Sequence, residues 1–243
     1  MRRINIFPRF APVGDSALSV EFEDAIDPVV NARVRALDRA IVVADLTGII
    51  ETVPSFRSLL IIYEPEDIEL PTLIEVLRRL INDSSNARAI TGRMWTVPVA
   101  YGYPSNADLM EVAAETKLSP DEIISIHSGA EYQVYVVGFV PGLPVLGGLP
   151  ASLHLSRRPD ARPGLPAGRV MIGGMQGLIV PMPMPTGYYS LGQTPLRPYT
   201  HGAADPFLFR AGDRIRFRPI TVDELEALAE VSSDRFLRIE EPA

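Results

Sequence analysis

His127 is the residue of this chain best placed by type to move a proton. It stands near the end of a predicted helix, just ahead of Ser128-Gly129. A neutral imidazole there could take a proton from, or orient, an amide nitrogen of a small substrate. The same position also suits a plain helix-ending histidine favoured by the helix dipole. Ser128 reads as a helix-ending hydrogen-bond partner rather than a nucleophile, because no Gly-x-Ser-x-Gly elbow surrounds it and no triad can be assembled. A second group lies after the strand-like run Tyr132 to Val137, in the stretch Gly138 to Pro150, where six residues before Leu149 are Gly or Pro. With Phe139, Leu143, Val145, Leu146 and Leu149 it reads as a rigid, apolar, buried-edge loop. Gly142, Gly147 and Gly148 could present successive N–H groups to an oxyanion, carboxylate or phosphate. They could equally form a tight barrel turn that needs glycine for packing. The third group is Gly173-Gly174-Met175-Gln176-Gly177. Gln176 offers two donors and an acceptor, which suit a planar amide or urea-like group.

Composition narrows the chemistry. The chain has no cysteine, so disulfides, thiolate catalysis and cysteine-based metal sites are excluded. His127, His154 and His201 include no i, i+4 pair, so no metal site is expected. No Gly-Lys-Ser or Gly-Lys-Thr occurs, so nucleotide is not held by a Walker motif. The net charge of −7 argues against a nucleic-acid partner. Two predicted helices joined by Lys117-Leu118-Ser119 resemble a helix-turn-helix. They carry Asp108, Glu111, Glu115, Asp121 and Glu122 against Lys117, a face that would repel phosphate. No apolar run reaches membrane-spanning length, and Met1-Arg2-Arg3-Ile4-Asn5 lacks a signal peptide's apolar core. A soluble cytoplasmic protein with no membrane partner is expected.

The elements that must position these residues fall into two parts. Thirteen Pro and thirteen Gly lie between Gly138 and Pro219, against ten Pro and five Gly elsewhere, so a loop-rich β part follows a more ordinary α+β part. In the first, Ala17 to Phe22 alternates like a half-buried strand. Asp27-Pro28 is an N-cap with Pro at the first helical position, and Val30, Val34, Leu37 and Ile41 continue at helical spacing. Ile49 to Val53 and Ser58 to Tyr63 read as strands, and Pro71 opens a helix with Leu73, Ile74, Leu77 and Ile81 on one face. The order strand, helix, strand, strand, helix, strand suggests a ferredoxin-like split βαβ unit. Asn82 to Asn86 is the candidate linker. Beyond it, Met94 to Val99 is a strand and a helix spans about Asn106 to Thr116. A second helix begins at Ser119-Pro120-Asp121-Glu122 with capping-box spacing. Short strands then alternate with Gly/Pro turns, as in a small barrel, and Thr221 and Glu224 cap a last helix.

These motifs, taken in order, resemble the KipI / allophanate hydrolase subunit 1 family, which includes the B-type subunit of 5-oxoprolinase. The matching pieces include Gly14 to Leu18, Val53 to Leu60, Val97-Pro98-Val99, Ile126-His127-Ser128 and Tyr135 to Pro150. Pro166-Ala167-Gly168, Ile172-Gly173-Gly174 with Gln176, Gly192 to Leu196 and Phe209 to Phe217 complete them. The resemblance implies a small ferredoxin-like α+β N-terminal domain (residues 1–90) and a mainly β, cyclophilin-like barrel domain (91–243). It also implies a subunit that acts with a paired second subunit and a third, hydrolytic one in ATP-dependent opening of 5-oxoproline to glutamate. Allophanate hydrolase and urea carboxylase-type activities are the related possibilities. ATP would be shared with the partner, and neither metal nor biotin is expected on this chain. On this footing the site residues are His127 as the catalytic one, with Gly142, Gly147, Gly148, Gly174, Gln176, Thr194 and Arg57 binding a small amide or lactam. The alternative is a non-catalytic histidine-kinase inhibitor. The chain departs from the family pattern at Leu143, Val145, Met175, Gly177, Tyr188 and Gln193. Gln193 replaces the arginine of a Gly-Arg-Thr-Pro motif, which removes a bidentate anion clamp and leaves Arg57, Arg157 and Arg158 as candidate anion partners.

Overall fold

A computed structural model gives the fold and describes residues 7–24, 27–84, 92–105, 107–231 and 238–240. The chain divides into two compact units, Met1–Ile90 and Thr91–Ala243. No helix among the described residues is long and apolar enough to cross a membrane.

The first unit runs β1 (Arg9–Pro12), β2 (Ala17–Glu21), α1 (Pro28–Ala44), β3 (Ile49–Pro54), β4 (Ser58–Tyr63) and α2 (Leu70–Ser84). Its four strands form one antiparallel sheet in the order β1-β2-β4-β3. Alternation fixes the faces: Leu18 and Val20 of β2, and Leu59, Ile61 and Tyr63 of β4, are buried beneath the helices. Asp27 caps α1 as its spacing predicts, its carboxylate accepting from Val29 N at 2.8 Å and from Val30 N. Val30, Val34, Leu37 and Ile41 then face the core together with Leu73, Leu77 and Ile81 of α2. The strand order differs from the sequence expectation. Among the described residues the fourth strand is β1, ahead of β2, and none after α2 joins this sheet; Arg-Phe-Ala-Pro is too short and too weakly patterned to announce itself. Asn82-Asp83-Ser84, read as the start of a linker, closes α2 instead, while Ser85 and Asn86 lie outside the described residues.

The second unit opens with β5 (Met94–Tyr101), α3 (Ala107–Thr116), α4 (Pro120–Gly129), β6 (Glu131–Val137) and β7 (Pro144–Gly147). It continues through β8 (Arg162–Leu165), β9 (Arg169–Gly173), β10 (Gln176–Ile179), β11 (Met184–Thr186) and β12 (Tyr189–Gln193). It ends with β13 (Arg214–Pro219), α5 (Val222–Ala229) and β14 (Arg238–Glu240). Seven strands, β12-β9-β10-β7-β6-β13-β5, close into a barrel because β12 also pairs with β5. β8 and β11 form a separate ribbon. β5 pairs in parallel with β13 on one side; on the other it meets β14 through Met94–Thr96 and β12 through Ala100 and Tyr101. Pro98, which has no N–H to donate, falls in the gap between those two partners.

Ser119 and Glu122 make the expected capping box on α4, and Thr221 caps α5. Trp95 packs edge-on to Phe209 at 5.3 Å in the core, and its indole N–H donates to buried Asp213 at 2.9 Å. The glycine-rich stretch contains a strand, β7, where the sequence suggested only a loop. Leu143, Val145, Leu146 and Leu149 are buried, but Phe139 is exposed, with φ of 74°.

Gly192 sits at the barrel seam, where a β-carbon would meet the Ala100 carbonyl oxygen at 2.4 Å. Because that atom is backbone held in the ladder, Gly192→Ala is expected to destabilise the chain by about 1–3 kcal/mol. Urea denaturation checks this; an unchanged midpoint would contradict the seam packing.

Candidate functional site

The structure separates the residues that the sequence grouped. His127 lies on the inner face of α4, with no exposed surface. It stacks on Phe217 at 4.6 Å, tilts against Tyr132 at 5.2 Å, and shares a 2.7 Å hydrogen bond between Nδ1 and the Tyr101 hydroxyl. The Tyr132 hydroxyl donates to the His127 carbonyl oxygen at 3.1 Å, and Nε2 is buried without a partner. Burial pushes the His127 pKa down to about 3. Burial likewise raises both phenols, Tyr101 helped by Tyr132. This imidazole is neutral at physiological pH and lines none of the cavities described below. It is a core residue packed between α4 and the barrel strands. Ser128 donates to the Ile124 carbonyl oxygen, as a helix-ending hydroxyl does.

The glycines are chiefly packing devices. A β-carbon at Gly147 would enter the Tyr135 ring at 2.1 Å, and one at Gly148 would meet the Glu131 carbonyl oxygen at 2.8 Å. Gly142 is pressed against Tyr199 and Pro198, although it also borders a cavity of about 500 Å³ shared with Val140, Phe207, Phe209 and Arg210. Gly174, with φ of 63°, opens the two-residue loop between β9 and β10, and its N–H donates to the Leu155 carbonyl oxygen at 2.7 Å. Gln176 Oε1 accepts from the Tyr188 hydroxyl at 2.8 Å and from Arg157 Nη2 at 3.1 Å, with the Arg157 guanidinium over the Tyr188 ring. Arg57 belongs to the first unit, where it is tied to Asp24 and to the Glu23 carbonyl oxygen.

Thr194 is the predicted residue that meets a larger cavity. This one, about 740 Å³ at the rim of the barrel, is bordered by Ala167, Arg169, Gln193, Thr194, Arg197 and Glu226. Two of the sequence motifs, Pro166-Ala167 just ahead of β9 and Gln193 to Leu196 at and beyond the end of β12, converge on it. Thr194 Oγ1 accepts from Leu196 N, while Gln193 Nε2 donates to the Ala167 carbonyl oxygen at 2.8 Å.

Beside the rim lies a cluster that the sequence did not assemble, although Arg158 in it was a candidate anion partner. Asp108, in the first turn of α3, accepts from Ser190 N at 2.7 Å, from both terminal nitrogens of Arg162, and from Arg158 at 3.4 Å. Burial pushes its carboxyl up, but the Arg162 and Ser190 hydrogen bonds and the arginine charges outweigh this and hold it below the usual range. Arg158 also pairs with Glu111 at 2.6 Å and lies over the Tyr189 ring. A cavity of about 130 Å³ touches Asp108, Arg162, Arg169 and Ser190. Arg169 therefore borders both cavities. Its place directly after the Pro166-Ala167-Gly168 motif was the one signal the sequence held. Among the described residues no His, Cys, Asp and Glu side chains gather in a group that could hold a metal ion.

With this geometry in place, comparison with known proteins gives the class. Residues 8–209 match the family described as Carboxyltransferase domain, subdomain C and D, and the chain belongs to that family. The resemblance read from its motifs is borne out. The chain is 35% identical over 233 residues to the B-type subunit of 5-oxoprolinase from Bacillus subtilis (strain 168), which covers 91% of this chain and 96% of that one. The solved structure of TTHA0988 superposes with a TM-score of 0.73 at 32% identity, over 84% of this chain; this chain spans only 40% of that one. The urea amidolyase of K. lactis shares the fold, with a TM-score of 0.76 at 20% identity, over 96% of this chain and 16% of that one.

Two buried groups both make acid destabilising, over different ranges of pH. The unfolded chain takes up a proton at His127 near pH 6.5, which the fold refuses until about pH 3, so acid favours unfolding throughout that window. This group alone is expected to cost about 1.4 kcal/mol of stability per pH unit below 6.5. His127→Phe should flatten the stability profile between pH 6.5 and 4, at a cost near neutrality of about 1–3 kcal/mol for the unpaired Tyr101 hydroxyl. Urea melts across pH read both effects. Asp108 works in the other range: its contribution is present at neutral pH and lost as pH falls through its lowered pKa. Asp108→Asn is expected to destabilise by roughly 2–4 kcal/mol at pH 7. This is less than for a fully buried pair, because Arg162 is a third exposed.

Proposed function

We propose that this chain is the B-type subunit of a cytoplasmic, multi-component, ATP-dependent enzyme that opens 5-oxoproline to glutamate, active only beside its paired subunit. One observation carries this assignment. Identity to the 5-oxoprolinase relative of Bacillus subtilis runs through 91% of this chain and 96% of that relative, rather than through a motif or one unit. The rim cavity supports it, because about 740 Å³ lies within the range of small-molecule pockets, roughly 300–1,000 Å³. We read the first unit as ferredoxin-like with its edge strand taken from the front of the chain, and the barrel as cyclophilin-like.

The residues present do not suit a triphosphate. The single lysine, Lys117, donates to the Ala114 carbonyl oxygen, and the glycine-rich segments are packed into the barrel wall. We therefore assign ATP, whose hydrolysis would drive cleavage of the ring amide bond, to the paired subunit. The part of this chain is to hold and orient the lactam at the barrel rim, with Thr194 and Gln193 shaping the pocket wall and the Asp108–Arg162 pair fixing the rim. His127 supports this from the core without touching substrate.

The test is reconstitution. The purified chain alone is expected to release neither phosphate nor glutamate from ATP and 5-oxoproline, whereas the co-expressed pair of subunits, with the third hydrolytic subunit added, releases both. A fully assembled complex that releases neither would overturn the assignment. Tight binding of the chain alone to a histidine-kinase dimerisation domain would then favour the inhibitory role.

A further inference from the structure

We infer that Arg169 is the carboxylate anchor of the rim cavity, supplying a positive charge from β9 directly opposite the neutral Gln193 of β12. The inference rests on the reading of the cavity as a substrate site and adds the group that selects the substrate's charge.

Three observations converge on Arg169. It borders both the large rim cavity and the smaller one beside Asp108. Its only described side-chain hydrogen bond runs from Nη1 to the Tyr103 carbonyl oxygen at 2.9 Å, while its Nε is buried without a partner. No salt bridge among the described residues neutralises it. The nearby carboxylate, Asp108, is already committed to Arg162, Arg158 and the Ser190 amide. A partly buried guanidinium without a counter-ion is costly, and an incoming anion removes that cost. Burial is indeed the main cause lowering the Arg169 pKa; Asp108 and Tyr103 oppose it, and the neighbouring charge of Arg162 adds to it. Every other arginine of the cluster has an acidic partner, so Arg169 is the member with capacity to spare.

The strand register supplies the second half. Arg169 is directly opposite Gln193 in the β9–β12 ladder. Cross-strand partners stand with β-carbons about 4.5–5.5 Å apart, so a guanidinium from either position can sweep the same part of the cavity. Gln193 itself is turned to the carbonyl oxygens of Ala167 and Thr194. It leaves the anion-binding role open. Arg197, exposed on the same cavity, adds a second positive charge, and Glu226 is a carboxylate on its border with no ion pair to either. The ligand class is a small monocarboxylate carrying a neutral amide, a carboxylated lactam.

Calorimetric titration of the chain, alone and in the assembled complex, tests this with four probes: 5-oxoproline, glutarate, inorganic phosphate, and 2-pyrrolidinone as the ring without its carboxylate. Arg169→Gln is expected to weaken 5-oxoproline binding by about 10–100-fold, the loss of a charge-assisted pair, and to leave 2-pyrrolidinone unchanged. Adding Gln193→Arg to Arg169→Gln should recover most of that loss. A double variant as weak as the single one would overturn the interchange between strands. Arg169→Lys, which keeps the charge but not the fork, keeps the test open if the Gln variant does not fold. Equal anion affinity in the wild type and Arg169→Gln, or no anion bound by either preparation, overturns the anchor. Arg169-dependent binding of glutarate or phosphate without any 5-oxoproline binding upholds the anchor and removes the proposed substrate.

Discussion

The barrel seam between β5 and β12 is the constraint on which the second unit depends. β5 gives Met94 to Val99 to β13 on one side, but divides the other between β14 and β12. Closure happens over two residues, Ala100 and Tyr101, and requires a residue without a side chain opposite them. The same two-residue contact sets the rim. It brings the end of β12, with Gln193 and Thr194, against the start of β9, with Arg169, and carries the chain on through Tyr103 to the foot of α3. An irregularity in β12 between Ser190 and Gly192 shifts its register against β9, and the Ser190 N–H goes to Asp108. The pairings that close the barrel also bring together the residues that border the rim cavity.

Buried polar groups then divide by task. Asp213 draws the Trp95 indole, the Arg93 guanidinium and the Arg210 amide to one carboxylate and pins the β13 end of the core. His127 fills an aromatic nest with Tyr101, Tyr132 and Phe217, which fixes α4 against the wall and keeps the imidazole neutral. Asp108 instead stands at the border of a cavity, where its partners Arg158 and Arg162 keep 18% and 33% of their side-chain surface exposed. Desolvation explains the division. Burial without a charged partner suppresses the charge of His127, whereas arginine and amide donors sustain that of Asp108.

Local signals made much of the fold legible. The Asp27-Pro28 start, the Ser119–Glu122 box and the Thr221 cap act over three residues, and each helix begins where those side chains meet its free amides. Alternation in β2 and the helical spacing of Val30 to Ile41 told which faces would be buried. β1 and β7 were hidden, one by brevity and the other by its Gly and Pro content, since both strands are held by partners rather than by propensity. The site was less legible. The glycine-rich loop and His127 carried the strongest local patterns, yet those patterns serve packing.

What the sequence determined by itself is the set of available chemistries and the family: no cysteine, one lysine, a neutral-amide residue at position 193, and motifs that follow one another along the chain in the family's order. Tertiary structure alone decided which of these meet. Arg169 and Gln193 are 24 positions apart and become direct neighbours through the register of two strands; Asp108 reaches Arg162 across 54. Such pairings depend on hydrogen-bond ladders closed between distant segments, and a linear pattern holds no record of the register in which those ladders close.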